Sequence, residues 1–179
     1  MTDQRENTPE PHHRRVMVIR DVRPDEYATV GELVVDVYRS IIPDLREYAE
    51  DLRDVAGRIG AGVLVWVAEE DAKLAGTVSY VPGPGPYAEH DDPRASGIRM
   101  LAVLPEFERR GIGEALVRVC LERARTDGLE RVYLHTTRWM ETAQRLYQRI
   151  GFARAPELDW EPAPGVGLTA YVYELAAPQ

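Results

Sequence analysis

Apolar residues recur along the chain at two spacings, which predict strands alternating with helices. Runs rich in β-branched residues predict strands at residues 16–20, 63–69, 74–81, 98–104, 131–136, 152–160 and 168–175. Apolar residues three and four positions apart predict helices at residues 24–38, 44–58, 111–126 and 139–150. Gly128 and Gly151 follow the last two helices, as expected of residues that end a helix. The polar turn at residues 70–73 predicts an antiparallel hairpin.

The length and composition indicate one compact domain. The chain has 179 residues, of which 44% are hydrophobic, and we assign residues 16–179 to a single domain. Residues 1–15 lack apolar periodicity and predict a disordered tail. Residues 82–95, rich in Pro, Gly and acids, predict a mobile surface loop. No run approaches the ~20 apolar residues of a membrane helix, so we expect a cytoplasmic protein.

The charge and the single cysteine exclude several kinds of site. A formal net charge of −8 disfavours nucleic acid and anionic membranes as partners. Cys120 is the only cysteine, so neither an intrachain disulfide nor a thiolate zinc site can form, and we expect no metal. Because Cys120 falls on the apolar face of a predicted helix, we interpret it as a packed residue and not as an acyl-carrying nucleophile.

The residues most informative about chemistry lie where a predicted strand leads into a helix. The strand ends at Pro105, and Arg109, Arg110, Gly111, Ile112 and Gly113 then begin the helix. The first N–H groups of a helix lack intrahelical partners and carry partial positive charge. Glycines let a ligand approach the backbone, and arginines add cationic donors. This junction is suited to bind an anion such as a diphosphate.

Nucleotide motifs fit this junction poorly. A P-loop requires Lys followed by Ser or Thr after its last glycine, but Glu114 follows Gly113. A dinucleotide-binding fingerprint requires a third small residue where the chain has Leu116. An ordinary tight turn between a strand and a helix also explains the two glycines, and a lone Gly-x-Gly does not distinguish these alternatives.

Two motifs together resemble the GNAT superfamily of N-acetyltransferases. Leu101–Ala102–Val103 and the Arg-Arg-Gly-Ile-Gly run resemble the family's strand and its Arg/Gln-x-x-Gly-x-Gly/Ala motif, and Tyr147 with Gly151 and Phe152 resembles its Leu-Tyr-x-x-x-Gly-Phe motif. The resemblance covers roughly residues 16–175. It implies an α/β fold with a mixed, mostly antiparallel sheet of about seven strands and helices on both faces.

The resemblance also implies site residues and a reaction. Acetyl-CoA would be the acyl donor, with its pantetheine amides along Leu101, Ala102 and Val103. Its diphosphate would lie on the main chain of a six-residue run, Arg109, Arg110, Gly111, Ile112, Gly113 and Glu114. Tyr147 would protonate the departing thiolate as a primary amine attacks the thioester directly in a ternary complex. The acceptor is a small molecule or a peptide of unknown identity, and homodimers are common in the family.

The sequence departs from the family pattern at three places. Glu108 stands at the Arg/Gln position, Met140 replaces a frequent asparagine, and Ser96–Gly97 replaces a catalytic glutamate. The base could be His135, although a strand histidine is more often a structural, hydrogen-bonded residue, or the amine could lose its proton to water.

Two further features bear on the acceptor. Trp160 is a candidate wall of the acceptor pocket, or a plain packing residue. The acidic run Glu89–His90–Asp91–Asp92 could steer a cationic substrate, but we favour a solvated loop. A non-catalytic acyl-CoA sensor and a nucleotide phosphate site remain as alternative functions.

Overall fold

A computed structural model describes residues 15–42, 44–45 and 48–175, which form one sheet flanked by helices. The strands are β1 (Met17–Asp21), β2 (Leu64–Glu70), β3 (Lys73–Val81), β4 (Ala95–Val103), β5 (Arg131–Thr137), β6 (Ala153–Arg154), β7 (Trp160–Ala163) and β8 (Val166–Glu174). The helices are α1 (Tyr27–Arg39), α2 (Tyr48–Arg53), α3 (Val55–Gly60), α4 (Ile112–Thr126) and α5 (Glu141–Ile150). The predicted tail, apart from Arg15, lies outside the described residues.

The sheet has the strand order β1-β2-β3-β4-β5-β8-β6, and β7 pairs with β8. Every pair is antiparallel except β4 with β5, which is parallel. The predicted mixed, mostly antiparallel sheet is therefore confirmed, with eight strands in place of about seven. The extra strand arises because the predicted strand at 152–160 is divided by a 3₁₀ turn, Pro156–Leu158. Proline lacks the N–H that a continuous strand would use there.

The two faces of the sheet carry different helices. On one face, α4 and α5 bury the larger core, which includes Leu116, Cys120, Leu134 and Tyr147. On the other face, α1 and α2 pack over β4 with a second core that includes Met100. The fully buried Cys120 thiol donates to the carbonyl of its own helix at Leu116, which confirms it as a packed residue. Its pKa is raised by burial, so the reactive thiolate form is disfavoured.

The predicted helix at 44–58 is two short helices in the described chain. The side chain of Asp54 accepts a hydrogen bond of 2.8 Å from the N–H of Gly57, so it caps a new helix, α3, directly after α2. In the sequence, the signal for this division of the helix was Asp54, a residue type that often caps a helix, three residues before Gly57. None of the helices in the described ranges is long and apolar enough to cross a membrane.

The packing of α1 against α2 depends on Gly31. A Cβ built at Gly31 would lie 2.7 Å from the carbonyl oxygen of Arg53, closer than real Cβ atoms approach. We expect Gly31→Ala to lower the free energy of unfolding by about 1–3 kcal/mol, because overpacking exceeds the helix propensity gained. Urea unfolding measures this.

Gly60→Ala in α3 is the matched control, since a Cβ there meets no atom within 4 Å. It gains the same intrinsic preference of alanine for helix without a clash, so its stability should stay level or rise. Equal effects of the two substitutions would contradict the proposed close contact.

Candidate active site

The sheet divides where β4 and β5 part. The two strands pair from Ala95 with Arg131 to Ile98 with Leu134. Beyond this last pair, β4 continues to Val103 and β5 to Thr137 without pairing with each other. Each stays paired with its other neighbour, β4 with β3 and β5 with β8. The edge of β4 that faces β5 therefore presents free backbone groups after Ile98. Because such groups require partners, a ligand with amide groups can bind along this edge. We call the point of separation the fork.

A bulge in β4 lies directly beyond the fork. Thr77 pairs with Ala102 and Ser79 with Arg99, so two β4 residues lie opposite the single residue Val78. Met100, one of these two, has a positive φ of 53°. A non-glycine residue in this conformation costs about 1–2 kcal/mol. Bulges of this kind bend a strand and are common beside active sites.

The segment between β4 and α4 forms an exposed cradle of backbone amides. Arg109 has φ 58° and Gly111 has φ 83°, so the chain turns twice into the left-handed region before α4 begins. Among the described residues, none of the N–H groups from Arg109 to Glu114 donates a recorded hydrogen bond to a carbonyl or side chain. A Cβ added at Gly111 would meet no atom within 4 Å. Free amides facing open space at a helix start suit an anion.

Only one arginine of this cradle has a free side chain. Arg110 forms an ion pair with Glu70 and lies over the ring of Phe107 at 5.2 Å, so its charge is held against the protein. Arg109 is exposed, and no carboxylate partner of its side chain is recorded. Glu108, at the unusual acidic position, is also exposed to solvent. Of the two predicted cationic side-chain donors, Arg109 is the available one.

Tyr147 lies in α5, on the face of the sheet that carries α4. Its side chain is buried, and its ring packs against Phe152 at 5.8 Å and Tyr171 at 6.3 Å. Burial raises its pKa, so the hydroxyl keeps its proton at neutral pH. Across the sheet, the pKa of Tyr38 in α1 is also raised, first by burial and then by the nearby hydroxyls of Tyr48 and Tyr147. Tyr38 belongs to the core on the α1 face of the sheet, and Tyr147 belongs to the core on the α4 face.

An ion triad of Glu89, Arg99 and His135 spans the fork. Ile98 and Leu134 form the last pair between β4 and β5, and Arg99 and His135 are the next residue of each strand. One carboxylate oxygen of Glu89 lies 3.5 Å from Arg99, and the other lies 3.0 Å from Nδ1 of His135. Arg99 also donates to the carbonyl of Tyr87 at 3.2 Å. Glu89 thus connects the two strands at the point where backbone pairing stops.

His135 is held with both nitrogens facing acceptors. Nδ1 faces the Glu89 carboxylate, and Nε2 lies 3.0 Å from the carbonyl of Leu158. Burial lowers the pKa of His135, but the bond and charge of Glu89, helped by Leu158 and Asp159, outweigh burial and raise it. The side chain is only 1% exposed. Because both ring nitrogens face acceptors and the side chain is shielded from solvent, neither nitrogen is open to take a proton from a substrate, so the structural interpretation is favoured over the base.

The acidic run is not a solvated loop, contrary to our expectation. The pKa of Glu89 is affected first by burial, which raises it, but the bond from His135 and the charge of Arg99 lower it overall. Asp92 is paired with Arg131 at 2.7 Å. The ring of His90 packs on Tyr133 at 5.0 Å. With Glu89, His90 and Asp92 held by the fold, Asp91 is the exposed acid that the run leaves to steer a cation.

Sequence reasoning missed most of the fork. Met100, Arg99, Glu89 and Tyr38 were not singled out as parts of one site. The one available signal was Arg99, a charged residue inside an otherwise apolar strand. Trp160, the candidate acceptor wall, is 46% exposed on β7 and is not a packed residue.

Comparison with known proteins agrees with this geometry. The sequence matches the family described as Acetyltransferase (GNAT) over residues 28–152, more than half of the chain. N-acetyltransferase 8B of Homo sapiens is 32% identical over 125 residues, which are 66% of this chain and 52% of the human protein. Mycothiol acetyltransferase of Acidothermus cellulolyticus is 35% identical over 97 residues, 53% of this chain and 25% of that protein. The matched part thus spans about half or less of these relatives.

Solved structures share the fold. A GNAT acetyltransferase from Staphylococcus aureus MU50 has a TM-score of 0.72 at 16% identity, covering 89% of this chain and 99% of its own. The protein yncA of Salmonella typhimurium, solved with its cofactor acetyl-CoA, has a TM-score of 0.62 at 21% identity, covering 91% of this chain and 98% of its own. From the family match over residues 28–152 and this shared fold, the chain belongs to the GNAT family of acetyltransferases.

Proposed function

We propose that this protein transfers the acetyl group of acetyl-CoA to a primary amine, with both substrates bound together. The observation that carries this proposal is the continuity of two features: the open edge of β4 leads directly into the amide cradle at the start of α4. An extended ligand with amides followed by a diphosphate matches that sequence of backbone donors and acceptors. The names of the relatives, and the acetyl-CoA in the yncA structure, support the same donor.

The residues present fit this donor. The pantetheine amides pair with the backbone of Leu101, Ala102 and Val103, on the edge that lacks a strand partner. The diphosphate lies on the amides from Arg109 to Glu114, with the free guanidinium of Arg109 beside it. The side chains of Arg110 and Glu114 take no part, because Glu70 holds the first and Arg118 and Arg149 hold the second.

The donor, when bound, supplies an acetyl thioester. In the transfer, the amine nitrogen bonds to the carbonyl carbon, the carbon–sulfur bond breaks, the nitrogen loses a proton to water and the sulfur gains one from Tyr147. Backbone N–H groups of β4 polarise the carbonyl, and Tyr147 gives the proton to the sulfur. Because the pKa of Tyr147 is raised above that of a reference thiol, ~8.5, this proton transfer is uphill. Holding the two reactants together provides much of the acceleration.

The main alternative is an acyl-CoA sensor that binds the donor without transferring its acetyl group. It is favoured by one observation: the described fork offers no evident base, since His135 faces two acceptors and Glu89 faces two cations. Release of free thiol from acetyl-CoA in the presence of amines distinguishes the two. Donor binding without thiol release for any amine would support the sensor. Stronger thermal stabilisation by ATP or NAD than by CoA would instead indicate a nucleotide site.

The diphosphate site is tested by Gly111→Glu. We expect the Kd for CoA to rise at least about tenfold, because the new carboxylate lies in the amide cradle where the anion binds. Calorimetric titration with CoA measures this.

Gly128→Glu is the matched control for strain. Gly128 follows the other end of α4 with a φ of 72° and likewise has no atom within 4 Å of a built Cβ. Both substitutions force a non-glycine residue into the left-handed region, but only one faces the proposed ligand. A loss of CoA affinity of equal size in both variants would move the diphosphate elsewhere.

The proton donor is tested by Tyr147→Phe. We expect turnover to fall by about 10²-fold, the low end for acid catalysis since the transfer is uphill, with the Kd for CoA nearly unchanged. Tyr173→Phe is the control, because Tyr173 belongs to the same aromatic group through its contact with Phe152. Unchanged turnover in Tyr147→Phe, measured by thiol release, would remove the acid role.

The protonated state of His135 is tested by the pH dependence of stability. The pKa of His135 is raised in the folded protein. Its protonation therefore stabilises the fold fully at pH values below its pKa in the unfolded chain, ~6.5. This stabilisation is lost as the pH rises through its pKa in the folded protein. We expect the Tm gap between wild type and His135→Asn to be largest near pH 6 and to shrink at higher pH.

The control for this pH series is His90→Asn. Burial lowers the pKa of His90, so protonation of His90 destabilises the folded protein as the pH falls. The Tm gap between wild type and His90→Asn should therefore change with pH in the opposite direction. A gap at His135 that grows with pH would show that its imidazole is neutral and available as a base.

A further inference from the structure

A surface groove lies beside the fork on the face that carries α1 and α2. It encloses about 590 Å³, a volume typical of small-molecule sites, and is lined by Arg138, Asp159, Trp160, Glu161, Gly165, Gly167, Leu168 and Thr169. Strand register fixes its position. Thr137 pairs with Leu168, and Leu168 pairs with Trp160, so these three side chains form one row across β5, β8 and β7.

This row lies next to the fork, two residues further along β5. His135 is two residues before Thr137, so both side chains point to the same face of the sheet. The Leu158 carbonyl that contacts His135 directly precedes Asp159, a residue of the groove wall. This step of one residue along the chain places the groove wall beside the fork. The groove therefore begins beside His135, at the fork.

The charged side chains of the groove differ in whether they have a partner within the protein. Asp159 is bound to Arg154 at 2.8 Å and to the N–H of Ala170 at 2.7 Å. Glu161 accepts the N–H of Gly165 at 2.5 Å. Arg138, by contrast, has no recorded carboxylate or carbonyl partner, and its guanidinium lies over the ring of Trp139 at 4.9 Å. Among the described residues, the groove therefore holds a guanidinium without a recorded partner, a carboxylate in an ion pair (Asp159) and a carboxylate bound only by a backbone N–H (Glu161).

A guanidinium without such a partner is unusual in residues 48–175. Between residues 48 and 175, which the structure describes throughout, the arginine side chains bind carboxylates or carbonyls except at Arg109 and Arg138. Arg109 belongs to the proposed diphosphate cradle. The second free guanidinium stands in the groove, opposite the apolar surface of Trp160, which is 46% exposed.

We propose that this groove is the acceptor site and that it selects an amine which also carries an anionic group on an apolar or aromatic body. This inference rests on the proposed function and names its substrate class. Arg138 binds the anionic group, as guanidinium groups bind carboxylates in bidentate pairs, and Trp160 packs on the apolar body. A polycationic amine such as a polyamine is disfavoured, because Arg138 repels its second charge.

The first test compares matched acceptors with acetyl-CoA. We expect phenylalanine to be acetylated with a kcat/KM at least tenfold above those of phenylalanine amide and phenethylamine, which lack the carboxylate, and above that of spermidine. Omega-amino acids with phenyl substituents extend the series, since they change the distance between amine and carboxylate. If the amines without carboxylate are acetylated equally well, or if no anionic amine is acetylated although acetyl-CoA binds, the assigned class is wrong.

The second test uses variants of the groove. Arg138→Gln should raise the KM for the carboxylate-bearing acceptor about tenfold or more and leave the amide analogue unchanged. Trp160→Ala should raise the KM for both. Arg145→Gln is the matched control, because Arg145 is an exposed arginine of neighbouring α5 that pairs with Glu141 away from the groove. Equal effects of Arg138→Gln on both acceptors would overturn the role of its charge.

A binding measurement separates this inference from the proposed function. Calorimetric titration of N-acetylphenylalanine into the protein with CoA present should show binding that weakens about tenfold in Arg138→Gln. Binding of CoA without any heat from this product would overturn the groove assignment and leave the donor site intact. If CoA itself does not bind, the proposed function fails, whatever the groove does.

Discussion

The active-site geometry depends on a parallel pairing that stops after four residue pairs. Strands β4 and β5 are the only parallel neighbours among the described strands, and they separate beyond Ile98 and Leu134. The bulge at Met100 makes this separation possible, since it bends β4 away while β4 stays paired with β3. The open edge of β4 follows from it. A sheet without the bulge would close the gap that the proposed donor occupies.

The ion triad has a role in geometry more than in stability. Burying three charges is expensive, and such groups are often replaceable by apolar residues without loss of stability. Here Glu89 contacts Arg99 and His135 with separate oxygens, and the carbonyls of Tyr87 and Leu158 each accept one further bond from these side chains. An apolar cluster could fill the same space but would not define the separation of the two strands. The bonds, each to a different segment, set where the strands stand as they diverge.

The sequence was a good guide to features made by neighbouring residues and a poor one to features made by distant residues. The start of α4, its glycines, and the end of α5 at Gly151 were predicted because caps and turns are local. Glu89 was assigned to a solvated loop because its partner His135 is 46 residues away. Met100 gave no signal, since a methionine with positive φ has no compositional mark. The division of β6 from β7 had a signal in Pro156, but apolar neighbours outweighed it.

The overall charge of the protein is a poor guide to its proposed ligands. A net charge of −8 suggests attraction for cationic amines. Yet the carboxylates near the fork are held by arginines, by His135 or by backbone N–H groups, so their charge is largely neutralised where a substrate would approach. The free charges beside the two proposed ligand sites are instead the guanidinium groups of Arg109 and Arg138. Because the other arginines of residues 48–175 are paired, we assign the guanidinium of Arg109 to the donor's diphosphate and that of Arg138 to an anionic group of the acceptor.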